Sequence, residues 1–449
     1  MLSTIPDLIS LSRQITDSVR QTMSSLNTDN VAKQNASRSW TPGKRVAIIG
    51  GGPGGISSAL AFLKRGFDVR LYEKQAACKP IGGAVLLNTP VLLILRHYGF
   101  DMSLAVDGVT NVDFQNRHGM ARTRQPFHSI VEARTGIKGW NYGVLRSSVI
   151  KNLLTLLPEG VIQVNYGLDH FIEDDKGVDL HFTNGEVHRT DILVGADGIR
   201  SEVSKQLFGD PQLFHTGLRL WLAYCDHFEG IPPNWGYVSH SRFHQASFFP
   251  MLHEGKPGFE WWVMERSSPT APVPSDVKQH VTGLLEQFAF PMQEFPDRTD
   301  FDTQCFRWEI YNRPRLSTWH KGRVMCIGDA VHPVSPYAGY GMGMAIEDGY
   351  YLAKWLDGVD LRDGRAISTS YDEFETQRLE YVYHNVEFAQ TLTKVFHMVP
   401  EPFATIRDWV FDYTPLLGHF LNKGYLEKAK IETGQMPELY AGTGEHLQL

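Results

Sequence analysis

Residues 46–55 read VAIIGGGPGG, and the run ISSALAFLKRGF follows directly. Four apolar residues thus lead straight into five glycines and a proline. Giving up side chains where a strand hands over to a helix makes sense when the backbone must approach a ligand closely. A pyrophosphate suits such a place, because a helix start offers unpaired N–H groups and the positive end of a dipole. Gly50, Gly52 and Gly55 take the G-x-G-x-x-G positions for tight turn, close approach and helix-on-strand packing. Pro53 stands at the helix start, where a missing N–H is harmless. RVAII predicts a buried parallel strand, and Ile56, Ala59, Leu60 and Leu63 recur at helical spacing before Gly66. A second strand, DVRLYE, ends on Glu73, an acid placed to accept from both ribose hydroxyls of an adenosine. A lone glycine fingerprint is weak evidence; inside a complete strand–helix–strand unit it predicts an adenine dinucleotide.

The rest of the composition narrows the class. With 449 residues and 42% hydrophobic content the chain can build two or three domains around a large core. A net charge of −7 and no basic stripe predict no nucleic-acid partner. No run of about 18 apolar residues is present, so no transmembrane segment is expected. Cys78, Cys225, Cys305 and Cys326 are far apart, without metal-like or redox-pair spacing. They read as reduced thiols, mostly buried, in a cytoplasmic protein with no metal site. Ahead of the glycine motif, Leu8, Leu11, Ile15, Val19 and Met23 predict an amphipathic helix, followed by a polar linker to residue 43. That helix is expected to pack on the chain's own body or on a second copy in a homodimer, with a partner or a membrane surface as the alternative.

Further along, TPVLLILRHYGF and LRSSVIKNLLTLL predict helices, and short alternating runs to DILVGADG predict strands with an Asn184–Gly185 hairpin turn. From about residue 216 to 310 aromatic residues crowd LRLWLAYC, WGYVSHSRFHQASFFP and FEWWVMERS, which read as a separate antiparallel sheet. The stretch GRVMCIGDAVHPVSPYAGYGMGMAIEDGYYLAKWL then repeats the opening grammar: a buried strand, Gly328 and Asp329, a glycine cluster, and a helix. An acid at a strand end suits sugar-like hydroxyls, and a glycine-cradled helix start suits an electron-rich ring edge. A flavin presents both needs.

In their order, three motifs resemble the class A flavoprotein monooxygenases, the single-component aromatic hydroxylase family that includes p-hydroxybenzoate and salicylate hydroxylases. They are the glycine fingerprint with Glu73, DILVGADGIRSEV with Asp197 and Gly198, and RVMCIGDAVHPVSP with Asp329, His332 and Pro336. The resemblance implies an α/β fold: a Rossmann-like FAD-binding domain with an inserted antiparallel β-sheet substrate domain and C-terminal helices. The expected divisions are 1–43, 44–215 and 311–365 for the two FAD parts, 216–310 for the sheet, and 366–449. It implies FAD contacts from Gly50, Gly52, Gly55, Glu73, Lys74, Gly83, Ala84, Arg146, Asp197, Asp329, Pro336, Gly341 and Met342. It further implies NAD(P)H as electron donor, O2 as co-substrate and oxygen transfer through a flavin C4a-hydroperoxide to an electron-rich carbon. A flavin oxidase, a halogenase and a non-catalytic FAD-fold binding protein are the alternatives. Candidate catalytic residues on the sheet are Tyr224, Tyr237 and Arg219, with His244 also in view. Trp221, Trp235, Trp261 and Trp262 suggest a broad apolar pocket for a bulky aromatic, indolic or polyketide-like small molecule. Two departures matter. The cluster reads Gly339, Tyr340, Gly341, Met342, Gly343 in place of G-Q-G-x-N, and Leu222 stands where many relatives carry arginine, which disfavours a small carboxylate or urate-like substrate.

Overall fold

A computed structural model describes residues 40–79, 82–105, 108–126, 132–133, 135–139, 141–421 and 436–440. The helix expected over residues 8–23 lies outside the described residues. A six-stranded sheet organises the first layer, in the order His320–Lys321, Val324–Cys326, Ile192–Gly195, Arg45–Ile49, Asp68–Glu73, Ile162–Val164. All pairings in it are parallel except the short outer one. Its central strands are buried along almost their whole length, as continuous apolar runs covered on both faces must be. Register then does the functional work. Ile49 is level with Gly195 and Tyr72, and Gly195 with Cys326. Three motifs separated by up to 280 residues therefore leave the sheet side by side at its carboxyl edge, where parallel α/β sheets bind ligands. A three-stranded antiparallel sheet, Leu168–Asp174, Gly177–Phe182 and Val187–Thr190, flanks it, with Gly185 at φ +86° in the expected hairpin turn.

The second, nine-stranded sheet is larger than residues 216–310 alone. Its path runs Cys305–Asn312, Phe214–Asp226, Lys256–Arg266, Gln245–His253, Trp235–His240, Asn111–Asn116, Ala121–Pro126. Asn111–Asn116 and Ala121–Pro126 come from the stretch expected to belong wholly to the first domain. Trp235–His240 pairs in parallel with Asn111–Asn116, so the sheet is mixed rather than antiparallel throughout. The antiparallel pair Ala84–Asn88 and Asn141–Leu145 joins it through Leu252. Which free edge a strand completes is a property of the assembled sheet, which is why local patterning missed this exchange.

Helices close the molecule. Pro53–Lys64 and Gly341–Trp355 pack against each other over the parallel sheet, and the 30-residue helix Gly364–Thr393 packs on Gly341–Trp355. Among the described residues no helix is long and apolar enough to cross a membrane, and no cluster of three or more His, Cys, Asp or Glu could hold a metal ion. All four cysteines are free thiols.

Candidate active site

At the first motif the glycines are required by contact. A Cβ on Gly55 would stand 2.0 Å from the Gly50 carbonyl oxygen, and one on Gly50, at φ +106°, would stand 2.4 Å from the Ala196 carbonyl. Gly52 has nothing within 4 Å on that side, so the approach to its backbone is open. Helix Pro53–Lys64 begins with no side-chain cap and no acidic residue in its first turn, and the same holds for Gly341–Trp355. Three other helices are capped by their own side chains, Ser201, Asp276 and Asp363 each accepting from a first-turn N–H, while Thr89–Tyr98, Arg146–Thr155 and Phe403–Tyr413 also start without a side-chain cap. The two glycine-led helices thus keep their N–H donors and positive ends available to a phosphate and to a ring edge. Glu73 accepts from Gly51 N at 2.9 Å and Gln75 N at 2.8 Å, so it braces the loop as well as standing at the strand end. Glu73→Ala is expected to weaken FAD by about 1 to 3 kcal/mol, the cost of losing hydrogen bonds to a charged group. Unchanged FAD affinity in a dialysis titration would contradict that role.

The second motif reaches the first because small residues let two helices touch. A Cβ on Gly54 would lie 3.2 Å from the Ala345 carbonyl and one on Gly349 2.6 Å from Ser58 N, and Ser57 Oγ donates to the Ile346 carbonyl at 2.7 Å. Asp329 is accessible to solvent although deeply surrounded by protein, as a residue lining an interior cleft is. That desolvation pushes its carboxyl up, against the opposing pull of His332 and Arg146. The Arg146 guanidinium is likewise desolvated, which lowers its pKa, with Asp329 as the counter-charge that acts on it. The Arg146 backbone N–H donates to the Gly83 carbonyl at 3.1 Å, which ties Gly83 and Ala84 to the same wall. Pro336 is exposed and Gly341 and Met342 are half-buried beside Val334. Lys74 is exposed next to Glu73.

Asp197 has a structural occupation. It accepts from Ser201 Oγ at 2.5 Å and from Glu202 N at 2.8 Å, and so helps to start helix Glu202–Phe208. Burial raises its carboxyl despite these bonds. His332 belongs to a buried network that the sequence reading missed. Its Nε2 is 2.5 Å from Asp348 Oδ2, which also accepts from Gly328 N at 3.0 Å. Arg378, from helix Gly364–Thr393, pairs with Asp348 and with Glu347, both at 2.9 Å. Burial alone would raise the Asp348 carboxyl, but the His332 and Arg378 charges outweigh it and hold the group below its ordinary range. The network clamps the Gly328 turn to the following helix. Two adjacent acids in the middle of an apolar helix, Glu347 and Asp348, were the available signal, since buried acids need a cation nearby.

The large sheet has two faces, and they sort the remaining candidates. One face, here called inner, carries Leu218, Leu220, Leu222 and Tyr224 toward the cofactor-binding segments: Gly83 lies against Leu222 and Phe306, and Tyr224 packs with Ala84 and Leu145. The other face carries Trp221, Ala223 and Cys225 onto helix Val277–Leu285, Phe288 and Phe295. Tyr224 is the one of the three catalytic candidates on the inner face. Tyr237 packs on Phe248 at 5.0 Å, on the far face. Arg219 is there too, buried and held by Glu309 at 2.6 Å and by the carbonyls of Ala271 and Pro272. Trp221 and Trp261 are core: Trp221 Nε1 donates to Glu265 at 2.8 Å and Trp261 Nε1 to Thr299 at 3.0 Å. Trp235 lies under Arg124 beside Tyr237, and His244 sits by Ser241 in the turn before Gln245–His253. Trp262, half-buried and stacked on Phe249 at 5.5 Å, faces inward with Leu222. Alternation in the sequence was too coarse to sort these residues between the two faces.

Residues 44–389 match the FAD binding domain family model. The chain is 28% identical to 6-hydroxynicotinate 3-monooxygenase of Bordetella bronchiseptica over 364 residues, 75% of this chain and 89% of the relative. It is also 28% identical to the chloroplastic zeaxanthin epoxidase of Nicotiana plumbaginifolia over 354 residues, 74% of this chain and 52% of that protein. Klebsiella pneumoniae HpxO, solved with FAD and uric acid, shares the fold at TM-score 0.74 and 22% identity, covering 87% of this chain and 98% of that one. With the family's model spanning both glycine-led helices and the sheet between them, the chain belongs to the FAD-binding-domain family and is an FAD-dependent oxidoreductase of the class A flavoprotein monooxygenases.

Proposed function

We propose that this protein hydroxylates or epoxidises a bulky, electron-rich aromatic small molecule at the expense of NAD(P)H and O2. The observation that carries the reading is the close contact of two glycine-led helices, Gly54 against Ala345, with the Val334–Tyr337 turn that leads into the second packed on the inner face of the large sheet. The residues fit FAD. The open side of Gly52 and the N–H groups after it would take the pyrophosphate, Glu73 the adenosine end, and Arg146 and Asp329 the stretch between the phosphates and the ring. The N–H groups at Gly341 and Met342 would face the pyrimidine edge. Bound FAD supplies the redox and oxygen-transfer chemistry. The chain's own part is to hold the substrate over the ring and to exclude water, which the apolar wall of Leu222, Trp262 and Phe249 serves. Burial raises the Tyr224 hydroxyl, so it keeps its proton at neutral pH and acts as a hydrogen-bond donor to substrate rather than as a base.

The test follows oxidation of NADPH and of NADH by FAD-saturated protein against a panel of aromatic compounds, with peroxide quantified and products weighed by mass spectrometry. A substrate-stimulated rate and a product heavier by one oxygen atom are expected, with no loss of rate on chelator treatment. An FAD-saturated protein that consumes neither nucleotide with any compound would instead be a binding protein.

A further inference from the structure

Glu260 is buried to 2% exposure in the middle of the strand Lys256–Arg266, and its Oε1 has no hydrogen-bond partner. On the inner face it stands between Tyr224 on one neighbouring strand and Phe249 on the other, next to Trp262. Neither these residues nor Leu222, Asp226, Ser247, Met251 and Gly258, the other near positions on that face of the three strands, carry a cation. Burial alone, with no opposing charge, pushes its carboxyl up to about 8. A lone carboxyl in such a place costs folding stability and does nothing for the sheet, where any apolar residue would pack better. Nor is it isolated as a polar atom. Ser247 Oγ and Gln245 Oε1 are also buried without partners on the same face, whereas His240 beyond them is taken up by Tyr337 and by stacking on Phe396 at 3.7 Å. Beside Glu260, Tyr224 packs on the small cluster of Ala84, Leu145 and Met251, and the Arg146 N–H that follows Leu145 is bonded to the Gly83 carbonyl.

Resting on the reading of this face as the substrate wall, we infer that Glu260 is the specificity-determining residue: it receives an N–H or O–H donor of a neutral aromatic substrate and excludes carboxylate anions. Pushed up in this way, the Glu260 carboxyl keeps its proton at neutral pH, and its unpartnered oxygen accepts from such a donor. A carboxylate brought there would lose its water with no cation on this face to repay it. The substrate class is therefore a phenol, hydroxy-heteroaromatic or N–H heterocycle without an acid group.

The experiment titrates FAD-loaded protein with 2-naphthol and with 2-naphthoate, reading the perturbation of the flavin absorbance, in the parent, Glu260→Leu and Glu260→Gln. The parent is expected to bind naphthol at least ten-fold tighter than naphthoate. Glu260→Leu should lose at least ten-fold for naphthol with a melting temperature equal to or above that of the parent, and Glu260→Gln, which keeps an acceptor, should recover most of the loss. A merely structural glutamate would not give this split between binding and stability. Equal affinity of the parent for both probes, absence of any flavin perturbation by naphthol, or an unchanged preference in Glu260→Leu overturns the inference, while nucleotide oxidation by the same samples tests the broader function separately. Loss of FAD from Glu260→Leu would assign the carboxyl to the flavin and overturn it as well.

Discussion

Gly55→Ala is expected to leave the chain unable to retain FAD and less stable by about 3 kcal/mol, the upper part of the range for overpacking a tight contact. Two effects compete. Alanine is the better helix former by about 1 kcal/mol, and Gly55 lies inside helix Pro53–Lys64, so propensity alone predicts a more stable protein. The new Cβ, however, would stand 2.0 Å from the Gly50 carbonyl oxygen and 3.2 Å from Leu71 Cδ1. The first of these is backbone, which cannot swing aside, so either the helix or the Gly50 turn must move. Both carry N–H groups of the proposed pyrophosphate site, and the contact term wins. Gly52→Ala is the informative companion. Nothing lies within 4 Å of its new Cβ, so its melting temperature should stay near that of the parent while FAD affinity falls, because the methyl occupies the approach itself. Flavin absorbance after gel filtration and a thermal melt on both variants decide the matter. A Gly55→Ala protein that stays yellow and melts normally would refute the packing argument.

The second large effect separates adjacent tryptophans. Trp261→Ala is expected to cost about 3 to 5 kcal/mol of stability and to lower the melting temperature by roughly 3 to 5 °C, with the ratio of peroxide to hydroxylated product unchanged. Trp261 is fully buried, stacks on Phe295 at 5.8 Å and donates to Thr299 on the far face of the sheet. Trp262→Ala should cost less stability, since the ring is only half-buried, but should let water reach the reacting face and raise the peroxide ratio several-fold. The period of two along a strand makes one residue of difference a change of side. If Trp261→Ala uncoupled and Trp262→Ala did not, the assignment of the inner face would be reversed.

Much of this protein was legible before any folding was considered, for reasons that are local. The glycines announce themselves because a strand-to-helix turn and close backbone packing restrict residue type at fixed offsets within one supersecondary unit. Helices such as Thr89–Tyr98 and Arg146–Thr155 were equally readable, because their apolar period is written within about three turns. Tertiary structure alone decided the rest. Asn111–Asn116 joined the large sheet because an edge was open there, and no local pattern records an open edge. Arg378 found Asp348 across 30 residues through helix packing, which pairs charges that spacing cannot relate. Alternation along single strands could not sort Trp221, Tyr224, Tyr237 and Arg219, because the relative register of neighbouring strands is a tertiary property. The assembled sheet sorted them, with Gly83, Ala84 and Tyr337 packed on the side of Tyr224 and Glu260 and with Arg219 and Tyr237 on the other.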